Sequence, residues 1–193
     1  MRRPEIETAA GRMAGLVRDV DDADLERATP CTDYCVAALL DHIDGFVGAF
    51  TAAGTKTQDP SEGPPPPGSA DHLRDDWRTG LADGFAALVA AWQPDDAYTG
   101  TVRAGGFEMP AESVAVVAIE ELVLHGWDLA RALDRPYEST PAELAVIDDF
   151  FGRFGPDQRG SAYGPERSVG AGAAPLDRAV ARSGRDPAWS AAG

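Results

Sequence analysis

Apolar side chains recur along most of this sequence at the spacing of a helix face. From about Glu5 to Val20 they fall at Ile6, Ala9, Met13, Leu16 and Val17, which predicts a first helix. The stretch Asp21 to Thr32 is polar, and Thr29-Pro30-Cys31 breaks the pattern before the next helix. A second helix is predicted from about Cys35 to Ala53, with Val36, Leu39, Leu40, Ile43, Phe46, Val47 and Phe50 as its apolar stripe. His42 lies at the edge of that stripe, whereas Asp41 and Asp44 fall farther round and are expected in solvent. Gly54 to Ala70 includes the run Pro64-Pro65-Pro66-Pro67 and reads as a loop, extended where proline dominates. Ser69 suits the N-cap of a third helix reaching about Trp92, with Leu73, Trp77, Leu81, Phe85, Leu88 and Trp92 in one column. His72, among Asp71, Arg74, Asp75 and Asp76, is expected at the surface.

Tyr98 to Met109 carries Gly100, Gly105 and Gly106, and suits a short hairpin or an irregular loop equally. Pro110 then fits the first position of a fourth helix, with Glu112 favoured in its first turn by the helix dipole. Thr140-Pro141-Ala142-Glu143 is a capping box that opens a fifth helix, with Leu144, Ile147, Phe150, Phe151 and Phe154 facing inward. Residues 155–193 are rich in Gly, Pro, Ala and Arg, and are expected to form an irregular tail with one helical turn around Leu176 to Ala181. The reading is all-α: a four-helix bundle with an additional C-terminal helix and tail, in a single domain over 1–193.

The fourth helix organises the rest. Val114 to Leu133 is apolar nearly all round, as in a helix buried within a bundle. Glu121 and His125 stand four residues apart in that run and share a face, and Asp128 falls on the same stripe. A buried carboxylate left alone costs several kcal/mol, so Glu121 needs a partner or a cleft. A metal ion would satisfy Glu121 and His125 together; a plain Glu–His hydrogen bond in the core would also do so.

Composition narrows the partners. A formal charge of −15 and a pI near 4.4 disfavour nucleic acid and anionic membranes. No apolar run is expected to cross a bilayer, and Met1 to Gly11 lacks the apolar core of a secretory signal, so a cytoplasmic location is expected. Cys31 and Cys35 then read as reduced thiols; their spacing is not that of a redox pair. Gly105-Gly106 reads as a turn.

Functional sites of helical bundles are built from side chains on facing helices. With three histidines in the chain, His42 can join Glu121 and His125 if the second and fourth helices pack side by side. Two imidazole nitrogens and one carboxylate oxygen would leave coordination positions open on zinc or another first-row divalent ion. Asp128 is either an acceptor for the free N–H of a ligating histidine or a surface partner of Arg131. Trp127 is expected in the core.

Three segments carry a resemblance. Thr29-Pro30-Cys31-Thr32-Asp33-Tyr34-Cys35-Val36 with Leu39, Leu40 and His42, then Pro110-Ala111 followed by Glu121 to Ala130, and the tail segments Ala174 to Arg178 and Gly184 to Trp189 together resemble actinobacterial metal-binding proteins of the DinB-like superfamily. They are similar in kind to the N-terminal metal-binding domain of mycothiol-dependent maleylpyruvate isomerase. The resemblance implies a divalent metal, usually zinc, held by His42, Glu121 and His125. It also implies thiol-dependent transfer or isomerisation, with a low-molecular-weight thiol such as mycothiol bound near the metal and an electrophile that the residues do not identify. Tyr34 replaces the usual Trp, and Cys35 stands where Thr or Asp would cap the helix, so that cap is expected to be weaker. The isomerase carries a second domain that helps form its active site, and none is expected in these 193 residues. The alternatives are a non-catalytic module that binds metal or a small thiol in stress response, and a bundle with Glu121 and His125 hydrogen-bonded without metal. A monomer and a homodimer are both compatible with the sequence.

Overall fold

The computed structural model of the protein describes residues 3–59, 66–153, 159 and 163–191. Four helices, α1 (Arg3–Arg18), α2 (Val36–Thr55), α3 (Trp77–Ala91) and α4 (Ala111–Ala132), pack as a closed ring. In that ring α1 and α2 each contact both α3 and α4. Helix α5 (Pro141–Gly152) lies on α4 and touches α1, and α6 (Pro175–Arg182) lies on α5. This is the DinB-like four-helix arrangement with helices added after it. The apolar columns meet at its centre, where Met13, Leu39, Leu40, Ile43, Leu81, Leu88, Ile119 and Leu122 are fully buried. Truncating such a leucine to alanine costs about 2–5 kcal/mol, because the neighbours fill the cavity only in part.

Helix α4 is buried nearly all round, from Val114 through Ala132. Its start is set by a two-stranded hairpin, β1 (Thr101–Ala104) and β2 (Phe107–Pro110), turning at Gly105-Gly106 and resting on α2 and α4. The glycine-rich stretch is therefore a hairpin, and Pro110 precedes the first helical residue instead of occupying it. The capping box of α5 forms as expected: the Thr140 side chain accepts from Glu143 N, and Glu143 accepts from Thr140 N at 2.8 Å.

Some expectations are corrected. The third helix starts at Trp77; Ser69 caps only a single 3-10 turn over Ala70–His72. Leu73 then leaves the helical region (φ −61°, ψ 121°), which directs it toward the core while Arg74 pairs with Asp44. Asp41 is half-buried and accepts from Ser69 N at 3.0 Å, so neither acid on that side of α2 stands free in solvent. By length and composition alone α2 could cross a membrane, contrary to the expectation, yet more than half of it is buried within the bundle. On α5, Leu144 is half-buried and Val146 takes the inner position with Ile147, Phe150 and Phe151. Phe154 and part of the proline run lie outside the described residues. His72 is exposed and Trp127 is in the core, as expected.

Candidate metal centre

The loop before α2 sets where His42 sits. Thr29 Oγ1 donates to Cys31 O (2.9 Å) and Tyr34 O (2.8 Å), closing a turn. The first two helical N–H groups then donate backward, Val36 N to Arg27 O and Ala37 N to Leu25 O. Backbone bonds thus do part of what a capping side chain would do, and Cys35 makes no cap bond. Two turns on, His42 lies between Tyr34 and Phe46, with ring centroids at 5.3 and 5.6 Å. The loop after α2 folds back over it: a Cβ on Gly68 would lie 2.4 Å from Ala38 O and 2.8 Å from His42 Cβ, so glycine is needed there.

From α4, His125 faces His42 with ring centroids 4.8 Å apart and planes at 78°, and Phe46 lies parallel to the His125 ring. Glu121 Oε2 stands 3.0 Å from His125 Nε2 and 3.7 Å from His42 Nε2. The second distance is beyond hydrogen-bond reach. Metal–donor bonds of about 2.0–2.1 Å at tetrahedral angles put donor atoms about 3.3 Å apart, between the two separations seen here. One donor atom from each of His42, Glu121 and His125 can be chosen so that all three lie within 4.8 Å of one another. The His42 and Glu121 side chains each keep 24% of their surface exposed against 8% for His125, so the cluster opens to solvent on one side. The donor set therefore fits a divalent ion with an accessible position.

Behind His125 the arrangement is closed. His125 Nδ1 lies 2.9 Å from Asp128 Oδ2, and Asp128 is fully buried. Arg185, from the tail, donates from Nε to Asp128 Oδ1 (2.8 Å) and from Nη2 to Oδ2 (2.8 Å). Of the two roles open to Asp128, the structure realises the bond to histidine. Arg131 turns instead to Trp189 O, its Nε at 3.0 Å. One residue from Glu121, buried Glu120 accepts from Tyr163 OH at 2.9 Å.

These contacts set the charges. Burial pushes the Glu121 carboxyl up, but the imidazoles of His125 and His42 outweigh it and hold it well below the usual carboxylate range. Burial disfavours a charged His125, and bonds to Asp128 and Glu121 overcome that and raise it to about 9. For Asp128 burial is likewise outweighed, chiefly by Arg185 and then by His125, and its pKa is lowered. Glu120 is pushed up to about 8 by burial and by the charge on Glu121. An ion held by His125 Nε2 would have to displace the proton these contacts favour.

Three neighbours had no role assigned from sequence. Arg185 and Tyr163 come from the tail, and Cys31 has its sulfur within 4.8 Å of ligand atoms of His125 and Asp128. Burial, with Asp128 nearby, pushes the Cys31 thiol up to about 11, so it is neutral and a poor nucleophile. Cys31 and Cys35 are both free thiols. Only Arg185 left a readable signal, since an aspartate inside an apolar helix requires a cation from somewhere.

The fold has known counterparts. A crystal structure of mycothiol-dependent maleylpyruvate isomerase aligns with TM-score 0.63 at 16% identity, over 82% of this chain and 71% of that one. A mutant of that isomerase with a histidine replaced by alanine aligns with TM-score 0.60 at 18% identity, over 78% of this chain and 68% of the other. At such identities the likeness establishes the fold alone. No curated protein matches the sequence. Residues 6–130 match the family of the mycothiol maleylpyruvate isomerase N-terminal domain, and the chain belongs to that family.

Proposed function

We propose that the chain binds one divalent ion, zinc by its donor set, through His42, Glu121 and His125, and presents it to a low-molecular-weight thiol of the mycothiol kind in a transfer or isomerisation reaction. The observation that carries this is the meeting of the three donors at metal-ligand spacing with one side open to solvent. A bound ion would take up the thiol as thiolate and so supply a nucleophile at neutral pH. The chain's own part is to orient: Tyr34 and Phe46 flank His42, and Asp128 accepts a hydrogen bond from His125 Nδ1–H, so that Nε2, once deprotonated, is the nitrogen that would face the ion. Asp128 is committed to Arg185 and His125, so it is not available as a general acid or base. That commitment favours a second reading, a non-catalytic module that binds metal or a small thiol.

We further take the described helices as one domain, because α5 and α6 continue the packing begun on α4. The acidic charge supports a small-molecule partner over nucleic acid or an anionic membrane. The test is elemental analysis of protein purified without added metal, followed by cobalt substitution in a Cys31→Ser, Cys35→Ser background. About one ion per chain is expected, lost in His125→Ala, with a visible spectrum that shifts on adding millimolar thiol. Equal metal content in wild type and His125→Ala would remove the metal assignment. A spectrum that does not move with thiol would leave the binding module as the better reading.

A further inference from the structure

We infer that Arg185 is a positioning residue for the metal centre: acting through Asp128, it holds His125 in its ligating orientation, so the C-terminal segment is an integral wall of the site. The inference rests on the metal reading above and extends it to residues far along the chain. Among the described residues, Tyr163, Arg185 and Trp189 of the tail reach polar groups of α4, and Arg185 Nη2 also lies 3.5 Å from His125 Nδ1. Tyr163 OH donates to Glu120 Oε2, Arg185 grips Asp128 with two nitrogens, and Trp189 O accepts from Arg131. The first two contacts bracket the ligands Glu121 and His125 on the helix. Arg185 is itself held: its Nη1 donates to Ser183 Oγ at 3.1 Å, and that hydroxyl donates to Val180 O at 2.6 Å, tying it to the end of α6. A guanidinium suits the task because its planar fork meets both carboxylate oxygens at once and fixes the plane of Asp128. The oxygen facing His125 Nδ1 is thereby fixed, and with it the ring angle and tautomer.

A merely structural contact would be lost with little consequence at the ligand. A positioning residue instead changes metal affinity, and loss of such hydrogen-bonding partners behind a ligand typically costs about 10–100-fold. The measurement is zinc affinity of the full chain by chelator competition, with the cobalt spectrum as a second readout. Arg185→Gln should weaken zinc by ~10–100-fold and alter the cobalt spectrum. Asp128→Asn should do the same, and the double variant should be no worse than the weaker single, because the two residues act as a unit. Tyr163→Phe, which frees Glu120 but leaves Asp128 held, should change affinity less. If Arg185→Gln loses helicity, Arg185→Lys carries the test: it keeps the charge without the fork and should still weaken zinc. Wild-type affinity and spectrum in a folded Arg185 variant, with metal lost in His125→Ala, would overturn the inference and leave the metal centre standing. Metal retained in His125→Ala would instead overturn the metal centre, and this inference with it.

Discussion

Two glutamates on neighbouring helices, Glu143 fully buried and Glu121 half-buried, have opposite fates. Glu143, in the first turn of α5, is fully buried and fully answered: Arg12 Nη2 donates to both of its oxygens at 3.0 and 2.9 Å, and Thr140 N donates to one of them. Among the described residues, Glu121 on α4 is answered by imidazoles alone, one at 3.0 Å and one too far to bond, and it faces an opening. Arginine keeps its charge at any ordinary pH, whereas imidazole can give up its proton. The first cluster is thus a permanent tie between α1 and α5. The second, on the metal reading proposed above, would exchange a proton for a metal ion. What separates structure from site here is whether the partner's charge is fixed and whether a position stays open to solvent.

The same substitution at both places separates them most strongly. Glu121→Ala should cut zinc affinity by roughly 70- to 900-fold, since the ~10–16 kcal/mol of a four-ligand structural zinc site divides into roughly 2.5–4 kcal/mol per ligand. Its metal-free stability should fall less than that of Glu143→Ala, because His125 can shed its charge. Glu143→Ala should cost about 3 kcal/mol in urea unfolding, by stranding Arg12 and removing the capping partner of Thr140. Its metal content should not change. A Glu143→Ala protein that loses metal would merge the two clusters and end the distinction.

Varying pH sharpens the contrast next. In the metal-free protein His125 is raised above its unfolded value. It therefore contributes stability that is fully present below pH ~6.5 and lost as pH rises through about 9. Zinc must displace that proton, so its affinity should climb about tenfold per pH unit from neutrality toward pH 9 and then level off. Chelator competition between pH 6 and 10 measures this. A plateau already reached at about pH 6.5, the value of a free imidazole, would mean that Asp128 and Glu121 do not hold His125 charged.

Gly126 connects the two clusters. A Cβ there would lie 2.6 Å from the hydroxyl of Tyr137, which accepts from Arg12 Nη1. Gly126→Ala should destabilise by about 1–3 kcal/mol through overpacking and, being next to His125, should also weaken metal binding. Unchanged unfolding would show that Tyr137 yields without consequence. The smallest effect is expected at the start of α2. Cys35→Ser supplies the missing side-chain cap and should raise the unfolding free energy in urea by ~0.5–1 kcal/mol, with metal content unchanged.

How much of this the sequence determined follows from the range of each interaction. The ring helices, the α5 capping box and the shared face of Glu121 and His125 were legible, because helical period and capping act within a few residues. His42 could be placed at the edge of the α2 stripe for the same reason. Only the tertiary structure decided that His42 meets Glu121, that Asp128 lies inside rather than beside Arg131, and that α3 waits until Trp77. It also decided the partners of the buried carboxylates: Arg185 reaches Asp128 across 57 residues, Tyr163 reaches Glu120 across 43, and Arg12 reaches Glu143 across 131. A side chain extended from a loop or a distant helix carries no periodic signal. Its partner is chosen by which buried charge would otherwise stand alone, and that is defined only once the helices have packed.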